Sequence, residues 1–295
     1  PSNNAGVVYV FDDTGRGFTE TLLTPSDASE YKLFGSSVGL SGDRLLVGAS
    51  YDSVAGQAKG AAYVFVDAGG SWVEELKLTA SNADIFNYFG GAVDLDGDVA
   101  VVGAIRSNFY QPGLVYVFER GGSGWAEVQQ LSASDAYAGD FFGSDVDLDG
   151  DRMVVAASGA EAAYVFELDA GGWTQTAKLT TPGFVGAVSL DGDTLLVGGH
   201  AANGDGNAAY VFEHDAAGWT QTATLVASGD DVAGGVALSG DVALVGAAAA
   251  GDLGEQAGAL YRFERAGGAW TEVQKVLATG GAAGLIGGWL TASVL

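Results

Sequence analysis

Short stretches of alternating residue character run along most of this chain, separated by turns rich in glycine and aspartate. Within residues 173–179, Trp173, Gln175, Ala177 and Leu179 share one face of an extended chain, and the intervening residues share the other. This period of two predicts a half-exposed β-strand. Continuous apolar runs such as 100–104 instead predict strands that are buried on both faces. Because no segment has a convincing helical period, the chain is predicted to be all-β.

The same pattern returns six times along the chain. Each copy has a Tyr-x-Phe strand, and a bulky aromatic residue follows nine residues after the tyrosine. The pairs are Tyr9/Phe18, Tyr63/Trp72, Tyr116/Trp125, Tyr164/Trp173, Tyr210/Trp219 and Tyr261/Trp270. Successive tyrosines are 54, 53, 48, 46 and 51 residues apart, close to the ~40–50 residues of a four-stranded propeller blade. The chain is therefore a repeat protein.

Four strands, A to D, can be assigned within each repeat. An alternating strand A leads through a Ser/Asp-Gly-Asp turn, such as 41–43, into an apolar strand B. Strand C carries Tyr-x-Phe, and strand D begins at the second aromatic residue. We predict a single β-propeller domain over residues 1–295 with six four-stranded blades, and seven blades is the alternative.

The two ends of the chain predict how the ring of blades closes. Strands C and D occur six times, but the clear A–B hairpin occurs five times. The chain starts with a C–D pair in residues 1–24 and ends with a degenerate A–B copy in residues 280–295. We expect these segments to form one split blade, because their pairing removes free sheet edges. Alternatively, the C-terminal segment is a linker or a partner-binding strand of a longer protein.

A short motif connects strand A with strand B. Phe34-Gly35 is followed by Val47-Gly48-Ala49, and Phe89-Gly90 is followed by Val102-Gly103-Ala104. The third copy is looser, and the fourth and fifth lose Phe-Gly. This pattern resembles the FG-GAP repeats of integrin α-chain propellers and, more closely, their bacterial and archaeal relatives. The resemblance implies a propeller with an extracellular adhesive or interaction role, but it does not fix a ligand.

Integrin-type repeats of this kind often hold calcium in an Asp-x-Asp-x-Asp-Gly loop. The resemblance therefore makes Ca²⁺ the candidate cofactor and implies four metal ligands. These are Asp145, Asp147, Asp149 and Asp151. Calcium needs six to eight oxygen ligands from a loop that wraps around it. Alternate side chains on a strand do not converge in this way, so turn chemistry and general acidity are the alternative explanation.

The charge of the chain restricts its partners. It has 37 acidic and 12 basic residues, a formal net charge of −25, and no cysteine. Such a surface repels nucleic acids and anionic lipids. It is best tolerated in high salt, so we expect a halophilic source, with an ordinary acidic secreted protein as the alternative. The apolar segment 280–295 is shorter than the ~20 residues of a membrane-spanning helix, so no membrane insertion is expected.

The B–C and D–A connections vary in sequence and lie at one end of each predicted sheet, where binding residues concentrate. Aromatic residues are common in these connections in the first three repeats. The candidate ligand-binding residues are Tyr31, Tyr51, Tyr88, Phe109, Tyr110 and Tyr137. Tyrosine-rich loops provide rigid contact area for proteins and sugars. Alternatively, these side chains fill gaps between neighbouring blades.

Catalytic signals are weak, and we expect no enzyme activity. The two histidines are His200, five residues before Asp205, and His214, and neither has a partner set that completes a nucleophilic triad. We predict a non-enzymatic extracellular or surface-displayed protein that binds a protein or glycan at a cell or virion surface. The alternatives are a carbohydrate-active enzyme or its accessory domain, and a self-associating filament or virion subunit.

Overall fold

A computed structural model describes residues 5–30, 32–54, 57–82, 87–105, 111–200, 207–228, 233–247 and 258–277. Within these ranges the chain forms 24 β-strands and no helix. The strands divide between two units, one ending at Ser132 and the other beginning at Ala133. The all-β prediction is confirmed.

Within the described residues, the first unit contains two two-stranded sheets and two four-stranded sheets, all antiparallel. The first two-stranded sheet has β1 (Val8–Asp13) and β2 (Phe18–Leu23). The next sheet has β3 (Phe34–Ser41), β4 (Arg44–Ala49), β7 (Ala61–Asp67) and β8 (Trp72–Leu78), with a small hairpin of β5 (Ser53–Val54) and β6 (Gln57–Ala58) between β4 and β7. The third has β9 (Phe89–Asp96), β10 (Val99–Ala104), β11 (Leu114–Gly121) and β12 (Gly124–Leu131).

The second unit contains three four-stranded antiparallel sheets. The first has β13 (Phe142–Asp149), β14 (Arg152–Ala157), β15 (Ala162–Asp169) and β16 (Gly172–Thr180). The second has β17 (Val185–Asp191), β18 (Thr194–His200), β19 (Asn207–Asp215) and β20 (Gly218–Val226). The third has β21 (Ala233–Ser239), β22 (Val242–Ala247), β23 (Ala259–Ala266) and β24 (Ala269–Leu277).

The order of strands in every four-stranded sheet follows the chain, as the A-to-D assignment predicts. Each A–B connection is a tight turn whose glycine has φ between +53° and +61°, a conformation that costs glycine little. These glycines are Gly42, Gly97, Gly150, Gly192 and Gly240. Antiparallel order places the A–B and C–D turns at one end of each sheet and the variable B–C and D–A connections at the other.

The repeated aromatic residues form the core of each sheet. Phe34, from the Phe-Gly motif, packs edge-to-face on Tyr63 of strand C with ring centroids 5.6 Å apart, and Phe89 packs on Tyr116 in the same way at 5.3 Å. All four side chains are buried. Tyr9, the equivalent tyrosine of the β1–β2 sheet, is 52% exposed. In the four-stranded sheets of Phe34 and Phe89, strand A supplies the phenylalanine ring that covers the tyrosine, and within the described residues the β1–β2 sheet has no such strand. This explains the difference in exposure.

Five four-stranded sheets and the β1–β2 sheet account for the six repeats, and they are consistent with the predicted six-bladed β-propeller. The C-terminal half of the predicted split blade, residues 280–295, lies outside the described residues. The split blade and the single-domain assignment therefore stay predictions.

Candidate binding site

Three of the six predicted ligand-binding residues lie in the described part of the chain. Tyr51 follows β4, Tyr88 directly precedes β9, and Tyr137 lies between β12 and β13. All three are in the variable connections, as predicted. The other three, Tyr31, Phe109 and Tyr110, lie outside the described residues.

Tyr51 and Tyr88 form a pair at the surface of the first unit. Their ring centroids are 4.8 Å apart with the planes tilted by 54°, and their hydroxyl oxygens are 3.2 Å apart. Tyr51 is 39% exposed and Tyr88 is partly buried. Mutual packing restricts both rings while leaving part of their surface open to a partner. The structure therefore joins the B–C connection of one repeat to the D–A connection of the next.

The backbone of Tyr88 holds a left-handed conformation, with φ of +50°. Leu33 and Phe141, which also directly precede the phenylalanine of a Phe-Gly motif, have φ of +52°. This conformation is rare for bulky residues and costs of the order of 1 kcal/mol. Because three repeats share it, the strain belongs to the turn into strand A and fixes the direction in which this side chain leaves the sheet.

Tyr137 stands on its own loop in the second unit and is 75% exposed. Its backbone N–H donates to the carboxylate of Asp140 over 2.7 Å, and the N–H of Asp140 donates back to its carbonyl over 3.2 Å. The loop is thus closed by two hydrogen bonds that leave the aromatic ring in solvent.

A charged cluster lies directly beside Tyr51, and the sequence did not predict it. Lys32 and Asp52 are almost fully buried, and Lys32 Nζ lies 3.1 Å from Asp52 Oδ2. Lys77 Nζ also lies 2.8 Å from Asp52 Oδ2 and 2.8 Å from Asp27 Oδ2. The Tyr63 hydroxyl is hydrogen-bonded to both Asp27 and Asp52. Two lysines and two aspartates therefore neutralise each other, with Lys32 and Asp52 buried and the side chains of Lys77 and Asp27 25% and 47% exposed.

The electrostatics of this cluster favour an ionised Asp27 and a neutral Tyr63. Burial alone would raise the pKa of Asp27, but hydrogen bonds from Lys32, Lys77 and Tyr63 outweigh burial and hold that pKa well below its usual value. Burial raises the pKa of the Tyr63 hydroxyl, and hydrogen bonds to Asp52 and Asp27 raise it further. Tyr63 consequently remains a neutral hydrogen-bond donor.

Backbone hydrogen bonds attach the Tyr51 loop to this cluster. The N–H of Tyr51 donates to the carbonyl of Lys32 over 3.2 Å, and the Asp52 carbonyl accepts from Lys59 and Gly60 over 3.1 and 3.0 Å. These bonds fix the backbone of Tyr51 and of Asp52 next to it, and the Tyr51 ring remains partly exposed. This arrangement suits a preorganised contact surface.

Part of the cluster is common to other repeats. The Tyr116 hydroxyl donates to Asn82 over 2.6 Å, and the Tyr164 hydroxyl donates to Asp135 over 2.9 Å. The buried Lys32–Asp52 pair has no equivalent there, because Asn87 and Asp140 occupy the position of Lys32. The sequence signal that could have revealed this cluster is Lys32 itself, a basic residue in an acidic chain at a position where the next two repeats have Asn87 and Asp140.

The four candidate calcium ligands do not converge. Asp145, Asp147 and Asp149 accept hydrogen bonds from three separate backbone N–H groups on or beside β17, those of Val188, Leu190 and Gly192, over 2.9, 2.7 and 2.6 Å. Asp151 lies in the turn after β13. Among the described residues, no group of three His, Cys, Asp or Glu side chains is placed to hold a metal ion. This donor set does not fit calcium in the geometry observed.

The three aspartates instead tie two neighbouring sheets of the second unit together. Ser37 accepts from the N–H of Val93 over 3.0 Å in the first unit, and Ser189 accepts from the N–H of Leu238 over 3.1 Å in the second. Serine and aspartate at alternate positions of strand A thus serve the same purpose.

Burial raises the pKa of Asp145 to about 7 against the opposing effect of the Val188 N–H, and the nearby charge of Asp147 adds to the increase.

Sequence comparison identifies the repeats. The FG-GAP repeat family matches residues 19–65, 72–118 and 125–166. These three segments of the chain are FG-GAP repeats. FG-GAP repeats are blades of β-propellers, in agreement with the sheets described above. No curated protein is significantly similar to the chain.

The chain is also similar in fold to a solved structure. This is a crystal structure described as a functionally unknown protein from Desulfotomaculum acetoxidans DSM 771. The TM-score is 0.64 at 11% sequence identity, and the match covers 91% of this chain and 76% of that chain. At this identity the likeness concerns the fold and not the ligand.

The possible acid–base residues of the chain are only partly described. His200 ends β18, and Asp205 lies outside the described residues. His214 packs on Trp219 with ring centroids 5.1 Å apart, and its Nδ1 lies 3.5 Å from Asp193 Oδ1. It borders a groove of about 320 Å³. Arg152 also contacts Asp193, over 3.0 Å, so His214 shares that carboxylate with a permanent cation.

Within the described residues, no helix is long and apolar enough to cross a membrane.

Proposed function

We propose that this protein is a non-enzymatic, extracellular or surface-displayed binding protein. It recognises a protein or glycan through the variable connections between its strands. The observation that carries this proposal is the Tyr51–Tyr88 pair, whose hydroxyl groups lie 3.2 Å apart on connections from successive repeats.

The pair has the properties of a binding surface. Tyrosine rings bring large apolar faces and a polar edge at a small cost in side-chain entropy. Here part of that cost is already met before binding, because each ring packs against the other and Tyr51 is fastened to the buried Lys32–Asp52 pair. A rigid aromatic surface gains more affinity per contact than a mobile one.

Charge limits the class of partner. With a net charge of −25, the protein repels nucleic acids, anionic membranes and acidic glycans at low ionic strength. Neutral sugars and neutral or basic protein surfaces are therefore the favoured partners. The basic side chains beside the pair, Lys32 and Lys77, are already paired with aspartates, so they add no net attraction for anions.

Binding to an array of neutral and acidic oligosaccharides, together with adhesion of protein-coated beads to intact cells, tests this proposal. Tyr51→Ala and Tyr88→Ala should each weaken binding about 10-fold or more, as truncation of a hot-spot aromatic side chain does. Val73→Ala is the matched control, because Val73 is 51% exposed on β8, outside the variable connections. Equal binding by all three variants, or no binding in either assay, would contradict the proposal.

A further inference from the structure

Tyr51 and Tyr88 are placed for a reaction with each other as well as for contact with a partner. Their ring centroids lie 4.8 Å apart, their hydroxyl oxygens lie 3.2 Å apart, and Tyr51 is 39% exposed. Two phenols in such contact can couple after one-electron oxidation, because neither radical has to diffuse to find its partner.

The remaining described tyrosines are poor competitors. Tyr63, Tyr116, Tyr164, Tyr210 and Tyr261 are at most 3% exposed. Tyr9 and Tyr137 are 52% and 75% exposed, but within the described residues no other tyrosine ring packs against either of them. Accessibility and a neighbouring phenol therefore coincide at one pair in the described part of the chain.

The chain has no cysteine, so disulfide bonds cannot link its repeats. Tyr51 and Tyr88 are 37 residues apart in sequence and belong to the connections next to β4 and β9. A covalent bond between them would close a loop across two successive repeats. Such a bond restricts the unfolded chain as a disulfide does, but thiols do not reduce it.

We propose that Tyr51 and Tyr88 form an intramolecular oxidative cross-linking site. Each phenol loses one electron to a one-electron oxidant and one proton to solvent, and the two phenoxyl radicals join through a carbon–carbon bond between their ortho positions. The two ortho hydrogens then move to the oxygens, which restores both aromatic rings. Overall the protein loses two electrons and two protons; persulfate as terminal oxidant takes up the two electrons to give two sulfate ions, and the two protons go to solvent.

This inference does not depend on the proposed function, since purified protein without any ligand is sufficient to test it. Photoexcited ruthenium tris-bipyridyl with persulfate supplies a small, diffusible one-electron oxidant. Intact-protein mass spectrometry should detect a monomer that has lost two hydrogen atoms, and peptide mapping should join the peptides that contain Tyr51 and Tyr88. Oxygen addition to tryptophan or methionine increases the mass and is thus distinguished.

Conservative variants assign the cross-link. Tyr51→Phe and Tyr88→Phe keep the ring packing and remove one phenol, so each should reduce the cross-linked monomer at least 10-fold. Tyr9→Phe removes an exposed phenol elsewhere and should leave the yield unchanged. The oxidised wild type should melt at a higher temperature than the oxidised Tyr51→Phe variant. Yields of cross-linked monomer in the Tyr51→Phe and Tyr88→Phe variants that equal the wild-type yield, or cross-links between molecules alone, would overturn the proposal.

Discussion

Gly48 and Gly90 approach each other so closely that a Cβ atom on Gly48 would lie 2.0 Å from the carbonyl oxygen of Gly90. Gly48 belongs to the Val-Gly-Ala part of one repeat and Gly90 to the Phe-Gly part of the next. Gly48 therefore allows the backbones of β4 and β9 to touch, and Gly90, whose Cβ atom would lie 2.2 Å from the Ala61 carbonyl oxygen, allows β9 to approach β7.

Gly48→Ala should destabilise the protein by about 3 kcal/mol, since the contact is with backbone atoms that cannot rotate away. Gly122→Ala is the matched control, because a Cβ atom there meets nothing within 4 Å and its φ is not positive. Urea denaturation of the two variants measures the difference. Equal stability would show that β4 and β9 separate at little cost.

The sequence predicted the strands and their order because each signal lies within one sheet. The offset between Tyr63 and Trp72 spans one C–D hairpin, and the Gly42 turn spans one A–B hairpin. The period of two also placed Asp145, Asp147 and Asp149 on one side of β13 correctly. Their partners are N–H groups 43 residues away on another sheet, and no local pattern identifies those.

The buried pair of Lys32 and Asp52 leads to a second prediction. Lys32→Met should destabilise the protein by about 3 kcal/mol, because it removes one partner of a buried ion pair and leaves the charge of Asp52 incompletely compensated. Lys178→Met is the control, since the Lys178–Asp135 pair is 36% and 49% exposed and such pairs contribute at most about 1 kcal/mol. A loss of stability no larger for Lys32→Met than for Lys178→Met would mean that Lys77 and Tyr63 suffice for Asp52.

The same cluster shows why the candidate site was only partly predictable. Tyr51 and Tyr88 are recognisable as aromatic residues in variable connections, and the structure brings them together. Lys32 and Asp52 are 20 residues apart and meet only when the connections on both sides of β3 and β4 have folded. Their pairing depends on tertiary packing, so neither composition nor periodicity indicates it.

The net charge of −25 leads to a prediction about salt. Repulsion between carboxylates opposes folding in dilute buffer, and the Debye length falls from ~10 Å at 0.1 M to ~3 Å at 1 M ionic strength. The melting temperature should therefore rise steeply between dilute buffer and molar potassium chloride. Calorimetry over this range is the measurement, and an unchanged melting temperature would remove the argument for a high-salt environment.

Asp145 leads to the last prediction, which concerns pH. Its pKa is about 7 in the folded protein and 3.8 in the unfolded chain, so the folded state binds this proton more tightly. The stability that Asp145 contributes is complete below pH 3.8 and is lost as pH rises through about 7. The loss is at most about 4 kcal/mol, at about 1.4 kcal/mol per pKa unit. The low pKa of Asp27 acts in the opposite direction, and its contribution is lost as pH falls below 3.8.

Stability should therefore be highest near pH 4 and should decrease toward pH 8. Asp145→Asn keeps an oxygen that can accept the Val188 N–H but has no charge, so this variant should be more stable than the wild type at pH 8 and similar at pH 4. Urea denaturation at pH 4, 6 and 8 measures both proteins. If the wild type and Asp145→Asn lose stability in parallel as the pH rises, the dependence arises from the overall negative charge and not from the carboxyl group of Asp145.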